Sequence, residues 1–346
     1  MAVSMRDVGA LAGVSPRTVS NVVNGYVHVR PETRERVQRA IEELRYRPNV
    51  SARSLREGRT GIIALALPEI AAPYFAELAD HVQRRAGEHG VTLLIDQTGA
   101  SRERELLVLE GYGTHAIDGL IFSPMAITAE DLAARDPGLP TVLLGERITD
   151  GGLLHISIDN VAAAQEATAH LLATGRRRIA AVGANVGPDS DGPALGRLHG
   201  YLRAHEEAGV ATAPELTVPT AGWSRAAGYA AVDALLRSGT DVDALFCFND
   251  VMAMAAIRAI ADHGLRVPSD IAVLGWDDVE EAAYTVPSLT SVRPDKAAIA
   301  RTAVDCLLGQ VAGEPVPATE VGCSHRLVVR ESTAGHHERP VGADRA

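Results

Sequence analysis

SMRDVGALAGVSPRTVSNVVNG, residues 4–25, holds two helix starts separated by a single glycine turn. Ser4 and Asp7 have the spacing of a capping box, in which a hydroxyl and a carboxylate three residues on each accept from free first-turn amides. A helix is therefore expected from about Met5, through Val8 and Leu11, to Gly13. Ser15 can cap a second helix, and Pro16 suits its first position because no amide hydrogen is needed there. Over residues 16–24, Val19, Val22 and Val23 form an apolar stripe that leaves Arg17, Thr18, Ser20 and Asn21 on other faces. Two short helices about a glycine turn, the second with an uncommitted polar face, make a helix-turn-helix. Arg17 and Asn21 lie four residues apart on one face, where an arginine can pair with guanine and an asparagine with adenine in the major groove. A third helix over Pro31 to Arg45 supplies Val37, Ile41 and Leu44 to close the small core. Helical spacing alone also allows a three-helix cap whose polar face is merely solvated.

Charge favours the first reading. Residues 1–60 hold eleven arginines against six acids, a net of +5 in a chain whose total is -11, which leaves -16 on the other 286 residues. Lys296 is the single lysine among 33 basic residues, so the abundance of arginine reflects genome composition and only its clustering informs. With 346 residues, 46% of them hydrophobic, the chain can pack two or three domains. No apolar run approaches the roughly 18 residues of a membrane span, and the N-terminus lacks the uninterrupted apolar core of a signal peptide. A cytoplasmic, nucleoid-associated protein without a membrane partner is expected. Cys247, Cys306 and Cys323 are odd in number and far apart, which argues against disulfides and zinc alike. The scattered histidines, including His336 and His337 in a polar tail, give no metal site.

From Gly61 the pattern becomes short aliphatic strands alternating with helices, the mark of parallel sheets covered on both faces. Strands are expected at Ile62–Leu67, Val91–Ile95, Gly119–Phe122, Thr141–Leu144, Ile179–Gly183, Leu216–Val218, Ala244–Phe248 and Ile271–Gly275. The fold class is α/β: an all-α helix-turn-helix headpiece followed by two doubly wound parallel-sheet subdomains. Crossings between the lobes are expected near Ile158–Asn160, Pro287–Ser291 and Thr319–Val321. In such sheets ligands bind at the carboxyl ends of strands. Asn249 and Asp250 directly follow one strand, Asp277 follows another, Arg197 lies in the helix after Ile179–Gly183, and Trp223 sits in AGWSRAAGY. A carboxylate, an amide and a guanidinium around an indole suit a polyhydroxylated ring, giving partners for hydroxyls and a flat face for C–H groups. Structural duties are open to each: Asp250 as a helix cap, Trp223 and Trp276 as core.

The chain resembles the LacI/GalR bacterial transcriptional regulators in MRDVGALAGVSPRTVSNVVNG, in PETRERVQRAIEELRYRPNVSARSL, and in later blocks, over residues 3–333. The resemblance implies a periplasmic-binding-protein-like core in which a small effector sits between two lobes. It implies a DNA-binding set of Ser15, Arg17, Thr18, Ser20 and Asn21, with Asn49, Ala52 and Leu55 in a hinge that becomes helical on operator DNA. Leu55 stands where the family inserts a leucine into the minor groove, opening the base stack and bending the duplex. Arg197, Trp223, Asn249 and Asp277 match sugar-contacting positions, and Arg197 and Asp277 also match effector positions in purine-responsive members. Tyr74 and Phe75, after Pro73, and Glu146 are expected from the first lobe, although the aromatic pair could simply open an amphipathic helix. Two residues depart from the family. Gly9 replaces a usual alanine at up to about 1 kcal/mol of helix propensity. Pro16 replaces a base-contacting side chain, leaving more of the specificity to Arg17 and Asn21.

The expected organisation is a headpiece over 1–48, a hinge and linker over 49–60, an effector and dimerisation core over 61–333, and a disordered tail over 334–346. Within the core, one subdomain takes 61–158 and 291–319, the other 159–287 and 320–333. The expected function is a homodimeric repressor on pseudo-palindromic double-stranded operator DNA, controlled by a small carbohydrate effector. Lacking the heptad extension of a tetrameric relative, it is expected to stop at a dimer. No cofactor and no catalytic residue is expected, since P-loop, GxSxG and HExxH motifs are absent. The alternatives are a soluble sugar-binding protein without DNA function and a purine-type repressor that needs a corepressor.

Overall fold

A computed structural model describes residues 3–23, 26, 28–46, 59–111, 117–135, 137–145, 147–148, 152–185, 192–315 and 319–334. The chain divides into two compact units, Met1–Gly61 and Ile62–Ala346. The first contains α1 (Met5–Ala12), α2 (Pro16–Val23) and α3 (Pro31–Glu43). Ser4 and Asp7 form the full capping box, with the Ser4 amide donating to Asp7 at 2.8 Å. Those two bonds to Ser4 hold the exposed Asp7 carboxyl below its ordinary pKa. At the other end of α1, Gly13 adopts a left-handed conformation (φ 65°) that a side chain would disfavour. Ser15 then caps α2, its hydroxyl accepting from the Thr18 amide at 3.1 Å. Val8, Val19, Val22 and Val37 are buried together, with Ile41 and Leu44 at the margin of this cluster.

Gly9 has a steric reason. A Cβ there would lie 2.7 Å from the Val14 carbonyl oxygen, inside van der Waals contact, because the turn folds back over α1. The expected propensity cost of glycine is offset by this close approach, which no alanine permits unchanged.

The second unit contains two six-stranded sheets. In chain order the elements are β1 (Ile62–Leu67), α4 (Pro73–Glu88), β2 (Thr92–Gln97), α5 (Arg102–Leu109), β3 (Gly119–Phe122), α6 (Ala129–Ala133), β4 (Thr141–Leu144) and β5 (Leu154–Ile158). They continue with α7 (Asn160–Ala173), β6 (Ile179–Val182), α8 (Gly192–Glu207), β7 (Thr217–Val218), α9 (Arg225–Arg237), β8 (Ala244–Cys247), α10 (Asp250–Asp262) and β9 (Ala272–Trp276). The last are β10 (Thr290–Pro294), α11 (Lys296–Ala312), β11 (Glu320–Cys323), β12 (His325–Val328) and α12 (Glu331–Ala334). The sheet orders are β11-β5-β4-β3-β1-β2 and β12-β10-β9-β8-β6-β7. Among the described residues every pairing is parallel except β10 with β12. Central strands such as IIALAL and ALFC are buried on both faces, as helical crossovers above and below a sheet require.

The structure differs from the sequence-based expectation in several details, among them four strands not expected, β5, β10, β11 and β12. The second strand lies at Thr92–Gln97, at the edge of its sheet and largely exposed. The strand expected at Leu216–Val218 is a single turn of 3-10 helix, Pro214–Leu216, followed by a two-residue strand. The second and third lobe crossings fall at Asp295 and Ser324, not at 287–291 and 319–321. β10 stays with the second lobe because Thr290, Ser291 and Val292 pair with Leu274, Gly275 and Trp276 of β9. β11 stays with the first because Glu320 to Cys323 pair with His155 to Ile158 of β5. Helix α11 packs on α4 and β3 and so belongs to the first lobe. Paired Arg85–Asp305 bonds of 2.7 and 2.9 Å join α4 to α11.

Candidate effector cleft and DNA-reading face

Arg197 is the most densely contacted of the expected effector residues on the second lobe. It is buried on α8 with its guanidinium carbon 4.9 Å from the centre of the Trp223 ring and 4.0 Å from that of Trp276. Its Nε donates to Asn160 Oδ1 at 2.9 Å and its Nη1 to the Phe248 carbonyl. A cation against two indoles and tied at two edges cannot reorient freely, so the plane of its guanidinium is held in one orientation. Trp223, half-buried, donates from Nε1 to the Gly183 carbonyl at 3.3 Å and meets Phe248 edge to face.

Asn249 caps α10, its Oδ1 accepting from the Met252 amide at 2.9 Å, while Nδ2 donates to the Trp223 carbonyl at 3.0 Å. One N–H of its amide is left beyond these two bonds. Asp250 is buried outright. Its carboxylate accepts from the Val279 amide at 2.9 Å and from the Ser291 hydroxyl at 2.6 Å, and it braces the loop after β9. Burial, followed by the neighbouring Asp277 charge, pushes its carboxyl well above the ordinary range.

Asp277 is the first residue after β9, with φ 110°, and Asp278 follows with φ 44°. Two consecutive non-glycine residues in this region store backbone strain, which persists only where surrounding bonds over-determine the loop. Its pKa is pushed up to about 7 by burial, opposed by the Arg197 and Lys296 charges. Asp278 is held by Arg293 and by Arg330, the latter at 2.6 Å, and its amide donates to the Ser291 hydroxyl at 3.0 Å.

The first lobe brings Tyr74 and Phe75 on the opening turn of α4, their rings edge to face at 5.2 Å and both half-buried. Lys296 Nζ lies 5.9 Å from the Tyr74 ring and donates to the Asp277 carbonyl at 2.8 Å, which brings this pair towards Asp277. Contacts therefore run from Phe75 and Tyr74 through Lys296 to Asp277 on one side, and from Arg197 through Trp223 to Asn249 on the other. Glu146 lies outside the described residues. Lys296, Asn160 and Asp278 were missed by sequence reasoning. For Lys296 the available signal was its uniqueness in the composition; Asn160 and Asp278 give none beyond adjacency to expected positions. A recess of about 650 Å³ lies beside Lys296, lined by Glu77, His81, Arg84, Arg293 and Arg326, and includes none of Arg197, Trp223 or Asn249. Its mixed charges and open shape give no ordered set of partners for a ring.

On the headpiece, Ser15 and Arg17 are exposed, and Thr18 and Asn21 are half-buried. The Ser15 and Thr18 hydroxyls lie 3.0 Å apart. Ser20, expected on the polar face, is buried next to Val19 although helical spacing sets it no closer to the valine stripe than Thr18. Asn49, Ala52 and Leu55 lie outside the described residues. Among the described residues no group of histidine, cysteine or acidic side chains could hold a metal ion, and no helix is long and apolar enough to cross a membrane.

A helix-turn-helix unit joined to a two-lobed α/β unit with a polar cleft defines a ligand-responsive DNA-binding regulator. Residues 4–49 match the family described as bacterial regulatory proteins, lacI family, and residues 168–333 match a periplasmic binding protein-like domain. The chain is 34% identical to the HTH-type transcriptional regulator CelR of Thermobifida fusca over 343 residues, 95% of this chain and 98% of that protein. The solved CelR–cellobiose complex is 32% identical with a TM-score of 0.70, covering 95% of this chain and 99% of that one. The Lac repressor dimer bound to operator and the anti-inducer ONPF is 28% identical with a TM-score of 0.82, covering 96% and 99%. This chain belongs to the lacI family of bacterial regulatory proteins. It is a DNA-binding transcriptional regulator controlled by a small-molecule effector.

Proposed function

We propose that the chain is a cytoplasmic, homodimeric repressor whose effector is a carbohydrate, bound between the lobes by Arg197, Trp223, Asn249 and Asp277 with Tyr74 and Phe75 opposite. The observation that carries this reading is the Trp223–Arg197–Trp276 stack beside the Asp277 carboxyl. It brings an indole, a guanidinium and a carboxyl together, the groups that a ring with several hydroxyls needs as flat apolar surface and polar partners. The cellobiose complex of CelR supports a sugar as the ligand class.

Arg17 and Asn21 read the half-site, and Leu55 with Asn49 and Ala52 serves the hinge. Exposed Tyr284 and Val286, between β9 and β10, support a second copy as partner, as does the Lac repressor dimer. Each half-site contributes modest affinity, and the two add only when the headpieces are correctly spaced. A change of lobe angle on effector binding alters that spacing and releases the operator without touching a base contact. The protein carries out no reaction on its ligand.

A thermal-shift screen tests the ligand class, with cellobiose and other mono- and disaccharides against nucleobases. A sugar at about 100 times its Kd should stabilise the core by roughly 2.7 kcal/mol. Shifts with nucleobases alone would replace the carbohydrate reading with a purine one.

A further inference from the structure

Lys296, the chain's single lysine, is 7% exposed. An ammonium has three N–H bonds directed tetrahedrally, whereas a guanidinium spreads five in one plane. Lys296 Nζ meets three acceptors: the Glu77 carboxylate, the Asp277 carbonyl at 2.8 Å and the Asp278 carbonyl at 3.2 Å. The other Glu77 oxygen accepts from the Glu280 amide at 2.8 Å. Glu77 stands on α4 and Lys296 opens α11, both in the first lobe, while residues 277–280 form the loop after β9 in the second. One ion pair therefore grips three residues of the opposite lobe, Asp277, Asp278 and Glu280, through three hydrogen bonds. In a chain that otherwise uses arginine throughout, an ammonium stands where three acceptors converge on one nitrogen, the geometry its tetrahedral donors suit.

The same loop is fastened to its own lobe by Asp250, through the Val279 amide, and by Asp278, through Arg293 and Arg330. With positive φ at residues 277 and 278, its shape depends on both sets of bonds. We infer that Glu77 and Lys296 are positioning residues: they fix the 277–280 loop, and with it the Asp277 carboxyl, against the first lobe. Movement of one lobe relative to the other then displaces the ligand-facing carboxyl, and ligand contact with Asp277 loads the same clasp. The role in effector response rests on the carbohydrate-cleft reading above, but the clasp itself can be examined without ligand.

Labelling the full-length protein with [15N]lysine gives one side-chain ammonium signal, since only one lysine is present. The clasp predicts an ammonium protected from hydrogen exchange and visible at neutral pH, lost to fast exchange in Glu77→Gln. In Lys296→Met, amides of residues 277–280 should exchange roughly tenfold faster or more, with the central strands of both sheets unchanged. A wild-type ammonium that exchanges like a free lysine overturns the inference, as does one indifferent to Glu77→Gln. So does unchanged exchange at 277–280 in a folded Lys296→Met protein. If Lys296→Met does not fold, the wild-type and Glu77→Gln signals still decide. A protected ammonium together with a failed sugar screen would remove the carbohydrate reading and leave the clasp standing.

Discussion

The headpiece and the effector core place their working groups in opposite ways. In the headpiece a small cluster of valines is buried so that Arg17 can stand in solvent, where a partner supplies what it lacks. In the core Arg197, Asp250, Asp278 and Lys296 are themselves buried, each satisfied by partners far away in sequence. The headpiece thus holds Arg17 exposed on a small apolar core, and the core holds its charges in a buried paired network. Buried charge is costly unless paired, so a change in one partner is felt by the others. An exposed arginine transmits no such penalty.

The sharpest break in this comparison is Asp277→Ala. We expect about 2–3 kcal/mol less effector affinity, some two orders of magnitude in Kd, with operator affinity of the unliganded protein unchanged. Calorimetric titration with the best sugar from the screen measures the first, operator titration the second. Undiminished sugar binding would place the ligand elsewhere.

On the headpiece, Arg17→Ala should remove about 1–3 kcal/mol of discrimination at one base pair while leaving sugar binding intact. Binding-site selection yielding the wild-type consensus would show that Arg17 only touches the backbone of the duplex. Gly9→Ala sets propensity against packing. Up to about 1 kcal/mol gained in helix propensity should be outweighed by the clash with the Val14 carbonyl, leaving a net loss of about 1 kcal/mol or more in thermal or urea unfolding. A stabilised variant would show that the turn yields easily.

The smallest effect concerns pH. Asp277 holds its proton up to about pH 7 in the fold, whereas an unfolded aspartate releases it near its ordinary value of 3.8. Between those limits the native state binds more protons, so this contribution to stability is full below about pH 4 and is lost as pH rises through 7. Urea unfolding across that window should fall less steeply in Asp277→Asn than in wild type. Asp250, raised in the same sense, contributes to the slope that remains. An identical slope in both proteins would mean that Asp277 ionises normally.

Most of the headpiece was legible because its determinants are local. Ser4 with Asp7, Ser15 before Pro16, and valines at helical spacing act within one or two turns, and the structure forms all three helices at those points. The burial of Ser20 was not legible, because the polar positions of an eight-residue helix do not show which of them the neighbouring helices cover. The alternation of strands and helices likewise showed two parallel sheets, but not where the lobes exchange chain. Pairing of β11 with β5, some 165 residues earlier, is a choice among distant partners that no local pattern encodes. In the cleft, strand ends pointed to Arg197, Asn249 and Asp277, yet nothing near Glu77 in sequence indicates Glu280 or Lys296.

Sequence by itself determined that a positively charged three-helix reader precedes a two-sheet α/β sensor, because capping, periodicity and charge clustering act over a few residues. Only the tertiary structure decided which charges are buried against one another and that a lone lysine joins the lobes. Those outcomes depend on desolvation and on hydrogen-bond geometry, and both are set by which distant segments the fold brings within about 3 Å.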